Sequence, residues 1–433
     1  TTTINGGTVY GAAGGISLNR GKLIVNGGTI TSKGTGSTGN WGDGTGGQDA
    51  AAINVNAGYG DADAQITGGK ITAEKDAILL GTGANYKATI AVSGGTFSSE
   101  VPADYCSDGY KAVKNSDGMY GIIKKLSMTR NMILENTLTM TYNVNPGEYT
   151  IVKGVYSFYD ATLNNNAGGY VDTVVLPVLK SEGIYALNFN GINSQRMLDG
   201  LKLTIFLAKD NDVIEYALEE TTIKDYLVWI LKSDEHSNYH ELASNLLEYG
   251  AADQKLMNYR KDELVTDVVR AEGVTLTSKS YVNKLENVES CSKLTKKDGG
   301  ITINGRQLVL YNSVHIKLAF VLEEGTALEN VSFEVKVMQG GSAASTTQFN
   351  SADFKLENGK YYLDFSNIMA SELDNEIVFT SYVNGEENDS YTCTVNDYLR
   401  SIYTNDTNAD YAKFKDIALA LFNCGYSCDN LKK

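Results

Sequence analysis

The chain repeats itself in two different ways, and repetition at a fixed phrase restricts a fold more tightly than composition does. Four segments carry one Gly-Gly phrase: Ile4-Asn5-Gly6-Gly7-Thr8-Val9, Val25-Asn26-Gly27-Gly28-Thr29-Ile30, Ile66-Thr67-Gly68-Gly69-Lys70-Ile71 and Val92-Ser93-Gly94-Gly95-Thr96-Phe97. Counted from Gly6, successive spacings are 21, 41 and 26 residues. Between the phrases lie second short apolar runs, Gly15–Leu18, Ala52–Val55 and Ala77–Leu80. Each unit therefore reads as strand, turn, strand, turn. A Gly-Gly pair admits a tight corner at positive φ, where a Cβ would clash. The flanking β-branched residues alternate, so one set points inward. Stacking similar coils pairs each strand with its copies above and below, which is a parallel β-helix. Glycine marks where this ends: 25 of the 44 glycines fall in residues 1–120.

This stretch resembles the β-helical Gly-Gly-Thr repeats of surface proteins from Gram-positive gut bacteria. The run Gly94–Ser98, Val101–Cys106 and Gly109–Ala112 is similar to the signature that closes the stack in that family. Physically, Pro102 and the turn residues after it are expected to stop strand pairing and cap an adhesive edge. Parallel β-helices also host polysaccharide lyases and glycosidases, whose chemistry needs clustered acids with calcium or a basic residue. The acids here are Asp43, Asp49, Asp61, Asp63 and Asp76, read mostly as solvated turn residues. The Gly-rich excursion Gly34–Gly47 contains Trp41 and Asp43, the best sequence candidates for a sugar-contacting loop, since an exposed Trp can stack on a pyranose face. The competing reading folds Trp41 back onto the coil.

A larger repeat begins near residue 126. Met132–Asn136 matches Leu308–Asn312, and Gly183–Phe189 matches Gly359–Phe365, both at an offset of 176. Period-two patterning with polar turns predicts an antiparallel sandwich in each copy. A helical segment follows. Thr222-Ile223-Lys224-Asp225-Tyr226-Leu227 matches Thr394-Val395-Asn396-Asp397-Tyr398-Leu399, and Thr followed three residues on by Asp is a capping-box-like helix start. Tyr226, Leu227, Ile230 and Leu231 form one apolar face. A second helix carries Tyr239, Leu242, Ala243, Leu246 and Leu247 and is expected to close at Gly250; copy two carries Tyr411, Phe414, Leu421 and Phe422 and is expected to close at Gly425. Such an amphipathic hairpin packs on its own sandwich.

The unit also resembles a module of the same surface proteins, on Phe189–Ile192, Asp225–Leu227, Leu246–Gln254 and Asn258-Tyr259. Copy two departs at Cys424-Gly425-Tyr426-Ser427-Cys428. The resemblance implies an architectural or adhesive role and transfers no catalytic motif.

Composition narrows the partners. The net charge of −15 argues against nucleic acid and anionic membrane. No apolar run reaches the length needed to span a bilayer. The opening Thr1-Thr2-Thr3-Ile4 reads as a piece cut from a longer chain. Cys106, Cys291, Cys393, Cys424 and Cys428 are too few for a disulfide scaffold, and free thiols are expected, with pairing of Cys424 and Cys428 left open. His236 and His240 have a His-x3-His spacing, but a zinc site would need a third ligand and the segment is a loop-to-helix junction rich in Ser, Asp, Glu and Asn, so a solvated face is the reading. His315 stands alone in a predicted strand. Lys209-Asp210-Asn211-Asp212 lacks the remaining ligands of a calcium loop. Neither a nucleophile elbow nor a phosphate loop occurs. No catalytic residue, metal or cofactor is assigned.

The expectation is a mainly β chain in three domains. Residues 1–122 form a short right-handed parallel β-helix; 123–274 and 275–433 are two tandem β-sandwich modules, each with an α-helical hairpin. The expected function is that of a secreted bacterial cell-surface protein, extracellular, acting as an adhesin or extended stalk. Its partner would be a host or dietary glycan or a surface protein. The alternatives are a polysaccharide-active β-helix enzyme and a purely structural spacer.

Overall fold

A computed structural model of the protein describes residues 1–35, 50–81, 86–134, 137–210, 212–297, 299–310, 314–366 and 368–431. The chain is mainly β, with several sheets and a smaller share of helix. The first strands are β1 (Thr2–Ile4), β2 (Thr8–Gly11), β3 (Ile16–Leu18), β4 (Gly21–Val25), β5 (Thr29–Ser32), β6 (Ile53–Val55), β7 (Ala62–Thr72), β8 (Ile78–Leu80) and β9 (Ala88–Phe97). They pair in parallel along three rows. Thr2 lies opposite Leu23, Leu23 opposite Ala64 and Ala64 opposite Ile90. In the second row Thr8 faces Thr29, and Thr29 faces Lys70. In the third, Ile16 faces Ile53, and Ile53 faces Ile78.

The Gly-Gly phrase explains why the rows stay in register. The second glycine of each pair, Gly7, Gly28, Gly69 and Gly95, has a φ of +80°, +90°, +98° and +104°. In the three later pairs the first has no room for a side chain: a Cβ on Gly27, Gly68 or Gly94 would lie 2.8, 2.5 or 2.2 Å from the carbonyl oxygen of Asn5, Asn26 or Thr67, whereas Gly6, with no pair before it, has open space. The residues before the first three pairs link the turns through their side chains. Asn26 Nδ2 donates to Asn5 Oδ1 at 2.8 Å, and Thr67 Oγ1 donates to Asn26 Oδ1 at 2.9 Å. Val25, Ile30, Ile53, Ile66, Ile71, Val92 and Phe97, drawn from all three rows, pack into one buried apolar cluster.

One expectation is corrected here. Pro102 and its turn do not end the sheet. The hairpin β10 (Tyr110–Lys114) and β11 (Tyr120–Lys124) lies against β9, with Tyr120 antiparallel to Phe97, and β10 meets the next strands through Lys114 opposite Glu215. Pro102 sits in the turn after β9, outside the ladder, so it redirects the chain without blocking the edge. The row of β8 ends differently: its Leu80 N–H donates to the Tyr105 hydroxyl at 3.1 Å. The expected boundary at 122/123 falls inside β11.

The first copy of the larger repeat supplies β12 (Ser127–Leu134), β13 (Leu138–Asn145), β14 (Thr150–Asp160), α1 (Leu163–Asn166), β15 (Gly169–Val175), β16 (Val178–Ser181), β17 (Ile184–Ile192), β18 (Leu201–Lys209) and β19 (Asp212–Ala217). Helices α2 (Ile223–Lys232), α3 (His240–Leu256) and α4 (Val265–Ala271) follow, then α5 (Val282–Glu286). The second copy supplies β20 (Lys293–Thr295), β21 (Ile301–Val309), β22 (His315–Leu322), β23 (Val331–Gln339), β24 (Ser342–Phe349), β25 (Lys355–Glu357), β26 (Lys360–Phe365), β27 (Glu376–Val383) and β28 (Glu386–Cys393), then α6 (Val395–Thr404), α7 (Ala409–Ala412) and α8 (Lys415–Leu431). The antiparallel orders correspond strand for strand. β12-β13-β17-β16 matches β21-β22-β26-β25, and β19-β18-β14-β15 matches β28-β27-β23-β24. Beside β28 lies β20; in the first copy β10 takes that place, which fuses the parallel rows and the antiparallel strands into one sheet. Each copy keeps its own apolar core, the first holding Met140, Tyr156, Phe189 and Leu246, the second Phe320, Phe333, Phe365 and Leu421.

The helix starts agree with the sequence. Thr222 Oγ1 accepts from Asp225 N and the Asp225 carboxylate accepts from Thr222 N; Thr394 Oγ1 likewise accepts from Asp397 N. The expected helix ends do not. α3 runs through Gly250 to Leu256, and α8 runs through Gly425 to Leu431. Both glycines serve close packing instead. A Cβ on Gly250 would meet Met197 Sδ at 2.7 Å, and one on Gly425 would meet the Ala370 carbonyl oxygen at 2.8 Å. A glycine needed for helix contact and one needed for a cap look alike in sequence. Through these helices the copies dock: α3 packs on α8, Asn245 Nδ2 donates to Ser427 Oγ at 2.6 Å, and the Tyr281 and Tyr426 rings lie 4.4 Å apart.

Candidate functional site

The sequence candidates Trp41 and Asp43, with Asp49, lie outside the described residues. Of the other acids near them, Asp61 and Asp63 tie successive strands of the first row together: Asp61 Oδ1 accepts from Lys87 N at 3.0 Å, and Asp63 accepts from Thr89 Oγ1 at 2.8 Å and lies 3.5 Å from Lys22 Nζ. Asp63 is in β7, not in a turn. His236 and His240 are both held by Ser233. His236 Nδ1 is 2.8 Å from Ser233 Oγ, and His240 Nε2 is 3.0 Å from the Ser233 carbonyl oxygen. Among the described residues no three His, Cys, Asp or Glu side chains are grouped to hold a metal, and none of the five cysteines is in a disulfide. No described helix is long and apolar enough to cross a membrane.

The duplication offers an internal reference for finding a site. Features that both copies keep belong to the architecture. Arg130 stands 5.5 Å from the centre of the Tyr226 ring, and Arg306 stands 5.6 Å from that of Tyr398. Each Tyr hydroxyl also hydrogen-bonds the backbone of the edge strand, at Met132 and at Leu308. Burial raises both Tyr pKa values and keeps the hydroxyls neutral. This pair fastens the helix start to the sheet in both copies, so it marks no ligand.

What differs lies on the outward face of β12, β13 and β17. Asn131, Thr141 and Asn188 stand abreast on neighbouring strands, because alternate residues of a strand share a face. Thr141 Oγ1 donates to Asn188 Oδ1 at 2.9 Å, and Thr139 Oγ1 donates to Asn190 Oδ1 at 3.1 Å. Beside this row lies a hollow of about 460 Å³ lined by Thr129, Asn131, Thr141, Asn143, Asn145 and Lys180, among others. The corresponding face of the second copy is ionic. Thr139, Thr141 and Asn188 correspond to His315, Lys317 and Asp364, with His315 Nδ1 2.9 Å from Asp364 Oδ1. Desolvation lowers the His315 pKa there, with Lys317 acting in the same sense against the Asp364 carboxylate.

A second hollow, about 370 Å³, opens on the other side of β12, and Asn131 lines both. Its floor is apolar: Met132, Leu134, Leu227, Ile230 and Leu246. Rings succeed one another beside it. Tyr226 and Trp229 are 5.6 Å apart, Trp229 and His236 4.7 Å, and His236 and Tyr239 6.4 Å. Trp229 is 46% exposed and Tyr239 44%, high values for such large rings. In the second copy Ser401 occupies the Trp229 position, and its hydroxyl donates to the Asp397 carbonyl one turn back. Among the described residues, no carboxylate lines either hollow. Sequence reading missed this surface. The available signal was the mismatch between copies, Trp229 against Ser401 and Thr-Asn against His-Lys-Asp.

A third hollow, about 340 Å³, lies where the parallel rows join the first copy. Glu100, Glu215 and Glu219 line it together with Lys111 and Lys114. No protein-family model matches the chain, and no curated protein matches it.

Proposed function

We infer that the chain is an extracellular surface module that reaches and binds rather than catalyses, and that glycan is its ligand class. Its architecture is read as a short right-handed parallel β-helix over residues 1–122. Two sandwich units follow over 123–274 and 275–433, each with a helical hairpin. The observation that carries the binding assignment is the amide face of the first copy, where Asn131, Asn143 and Asn188 stand with Lys180 nearby, beside an exposed Trp and Tyr. Neutral amides and hydroxyls exchange hydrogen bonds with sugar hydroxyls, and aromatic faces cover the apolar faces of pyranose rings. The second copy has the same strands with an ionic face and no Trp, so the fold itself does not demand the first arrangement.

A glycan array probed with the full chain, followed by calorimetry on each hit, tests this. Asn143→Ala and Trp229→Ala are each expected to weaken binding at least about tenfold, whereas Lys317→Ala leaves it unchanged. Equal loss from Lys317→Ala, or hits insensitive to all three changes, sinks the assignment. Absence of any hit supports the spacer reading. The enzyme alternative draws on one observation, the acids Glu100, Glu215 and Glu219 in the junction hollow. Cleavage of an array polysaccharide that Glu215→Gln abolishes would establish it.

A further inference from the structure

The side of the first copy formed by β15 and β16 is unlike any other described edge. Each of these strands ends the order of its sheet, so each has one unpaired row of backbone groups. Only Leu176 and Pro177 separate them in the chain. Along this edge Tyr170, Val171, Val174, Leu176, Val178 and Leu179 are 40%, 46%, 60%, 71%, 51% and 62% exposed. The second copy protects the same place. Its β24 reads Ser-Ala-Ala-Ser-Thr-Thr-Gln-Phe, and Phe354 closes the gap before β25, buried with its ring 5.1 Å from Phe320 and 5.8 Å from Phe333. A β-branched, aliphatic free edge is a template for strand addition.

We propose that this edge is the interface with a second copy of the chain, joined by antiparallel pairing of β15 with the partner's β15 about a two-fold axis. The strand is self-complementary in the register centred on Thr173. There Thr173 faces its own symmetry mate, Val171 faces Val175 and Asp172 faces Val174. Side chains on the same face meet, as the pleat requires. No like charges are opposed, since Asp172 is the only charged residue of β15 and its carboxylate is engaged by the Ser157 hydroxyl. The six side chains, on both faces of the edge, expose on the order of 600 Å² in all, which sets the most they can contribute toward the roughly 800 Å² per partner of a stable interface. An isologous two-fold contact closes at the dimer and consumes both edges.

Sedimentation velocity of the full chain across a concentration series tests this, paired with cross-linking of Thr173→Cys under oxidation. The expected results are a monomer–dimer equilibrium, a disulfide-linked dimer at position 173, and no such link for the control Thr346→Cys on β24. Val171→Lys and Val174→Lys are each expected to weaken association at least about tenfold, with circular dichroism unchanged. A chain that stays monomeric, one that forms open-ended aggregates, a dimer insensitive to both lysines, or equal cross-linking at 346 overturns the proposal.

Discussion

The outward faces of β12, β13 and β17 and of β21, β22 and β26 share one ladder and almost no chemistry. Thr139, Thr141 and Asn188 stand where His315, Lys317 and Asp364 stand. The inward residues of the same strands hold their character: Met132, Met140 and Phe189 against Leu308, Ile316 and Phe365, all packed in their cores. Backbone pairing is indifferent to the side chains on the face away from the core, even where, as at Thr139 and Thr141, neighbouring side chains cover them, so that face can change while the fold persists. Burial does not allow the same freedom, because each lost contact costs stability directly. The comparison therefore separates what holds each copy together from what distinguishes them, and the distinguishing residues are where binding is sought.

The largest test concerns what the copies share. Gly250→Leu and Gly425→Leu each drive a side chain into the turn beneath the helix, and each should cost about 3 kcal/mol or more by urea unfolding. Alanine sharpens the contrast. At 250 the nearest atom is the flexible end of Met197, at 2.7 Å, and the backbone oxygen of Ser194 is at 3.0 Å. At 425 the obstacles are Leu373 Cδ1 at 2.6 Å and the Ala370 oxygen at 2.8 Å. Alanine also gains about 1 kcal/mol of helix propensity. Gly250→Ala should thus be near neutral and Gly425→Ala destabilising by roughly 1–2 kcal/mol. The reverse order would mean that the two helices do not sit on their turns in equivalent ways.

The second test concerns a corner that the copies solve differently. In the first, Asp253 is fully buried on α3 and accepts from the Ser194 hydroxyl, while its Oδ1 lacks a partner. Cys428 and Ala370 take these places in the second. Burial pushes the Asp253 pKa up to about 6, against weaker opposing bonds from Ser194 and Gln195. A carboxyl whose folded pKa exceeds its unfolded one of 3.8 is held protonated by the fold. Its ionisation therefore subtracts stability as pH rises from about 4 through 6, and the loss is complete above that. Asp253→Asn should raise stability at pH 7.5 by roughly 2–3 kcal/mol and by little at pH 4, as read from urea unfolding at the two values. An equal gain at both would assign the effect to packing instead of charge.

How far the sequence foretold this molecule depends on whether the determinant was local. The Gly-Gly turns were legible because a positive φ and a contact with the preceding carbonyl both demand glycine at a fixed step. The caps were legible because Thr222 and Asp225 satisfy each other within four residues. Gly250 was misread because its reason lies in Met197, 53 positions away. The continuity of the sheet past Pro102 was missed for the same cause, since Lys114 finds Glu215 across a hundred residues. The surface around Trp229 falls in this class too: an apolar stripe at helical spacing gives no sign that one ring, Trp229, remains outside.

The smallest test returns to a feature that looks identical in both copies and is not. Thr222 and Asp225 form a full reciprocal cap, with hydrogen bonds of 3.0 and 2.9 Å, on a half-exposed helix start. Thr394 caps Asp397 N at 3.0 Å, but the Asp397 carboxylate turns away to Ser292, whose N–H donates at 3.3 Å, and to Arg400 at 3.1 Å. Thr394 and Asp397 are both buried. Removing the Thr222 hydroxyl frees an N–H that water can reach, so Thr222→Ala should cost about 0.5–1 kcal/mol. Removing that of Thr394 leaves an N–H sealed from solvent, and Thr394→Ala should cost about 1–2 kcal/mol. Asp225→Asn should be worth only a few tenths, whereas Asp397→Asn loosens the 290–292 segment from α6 and should speed amide exchange there. Equal costs for the two threonines would mean that the cap bond alone sets the energy and that the burial separating the copies adds nothing to it.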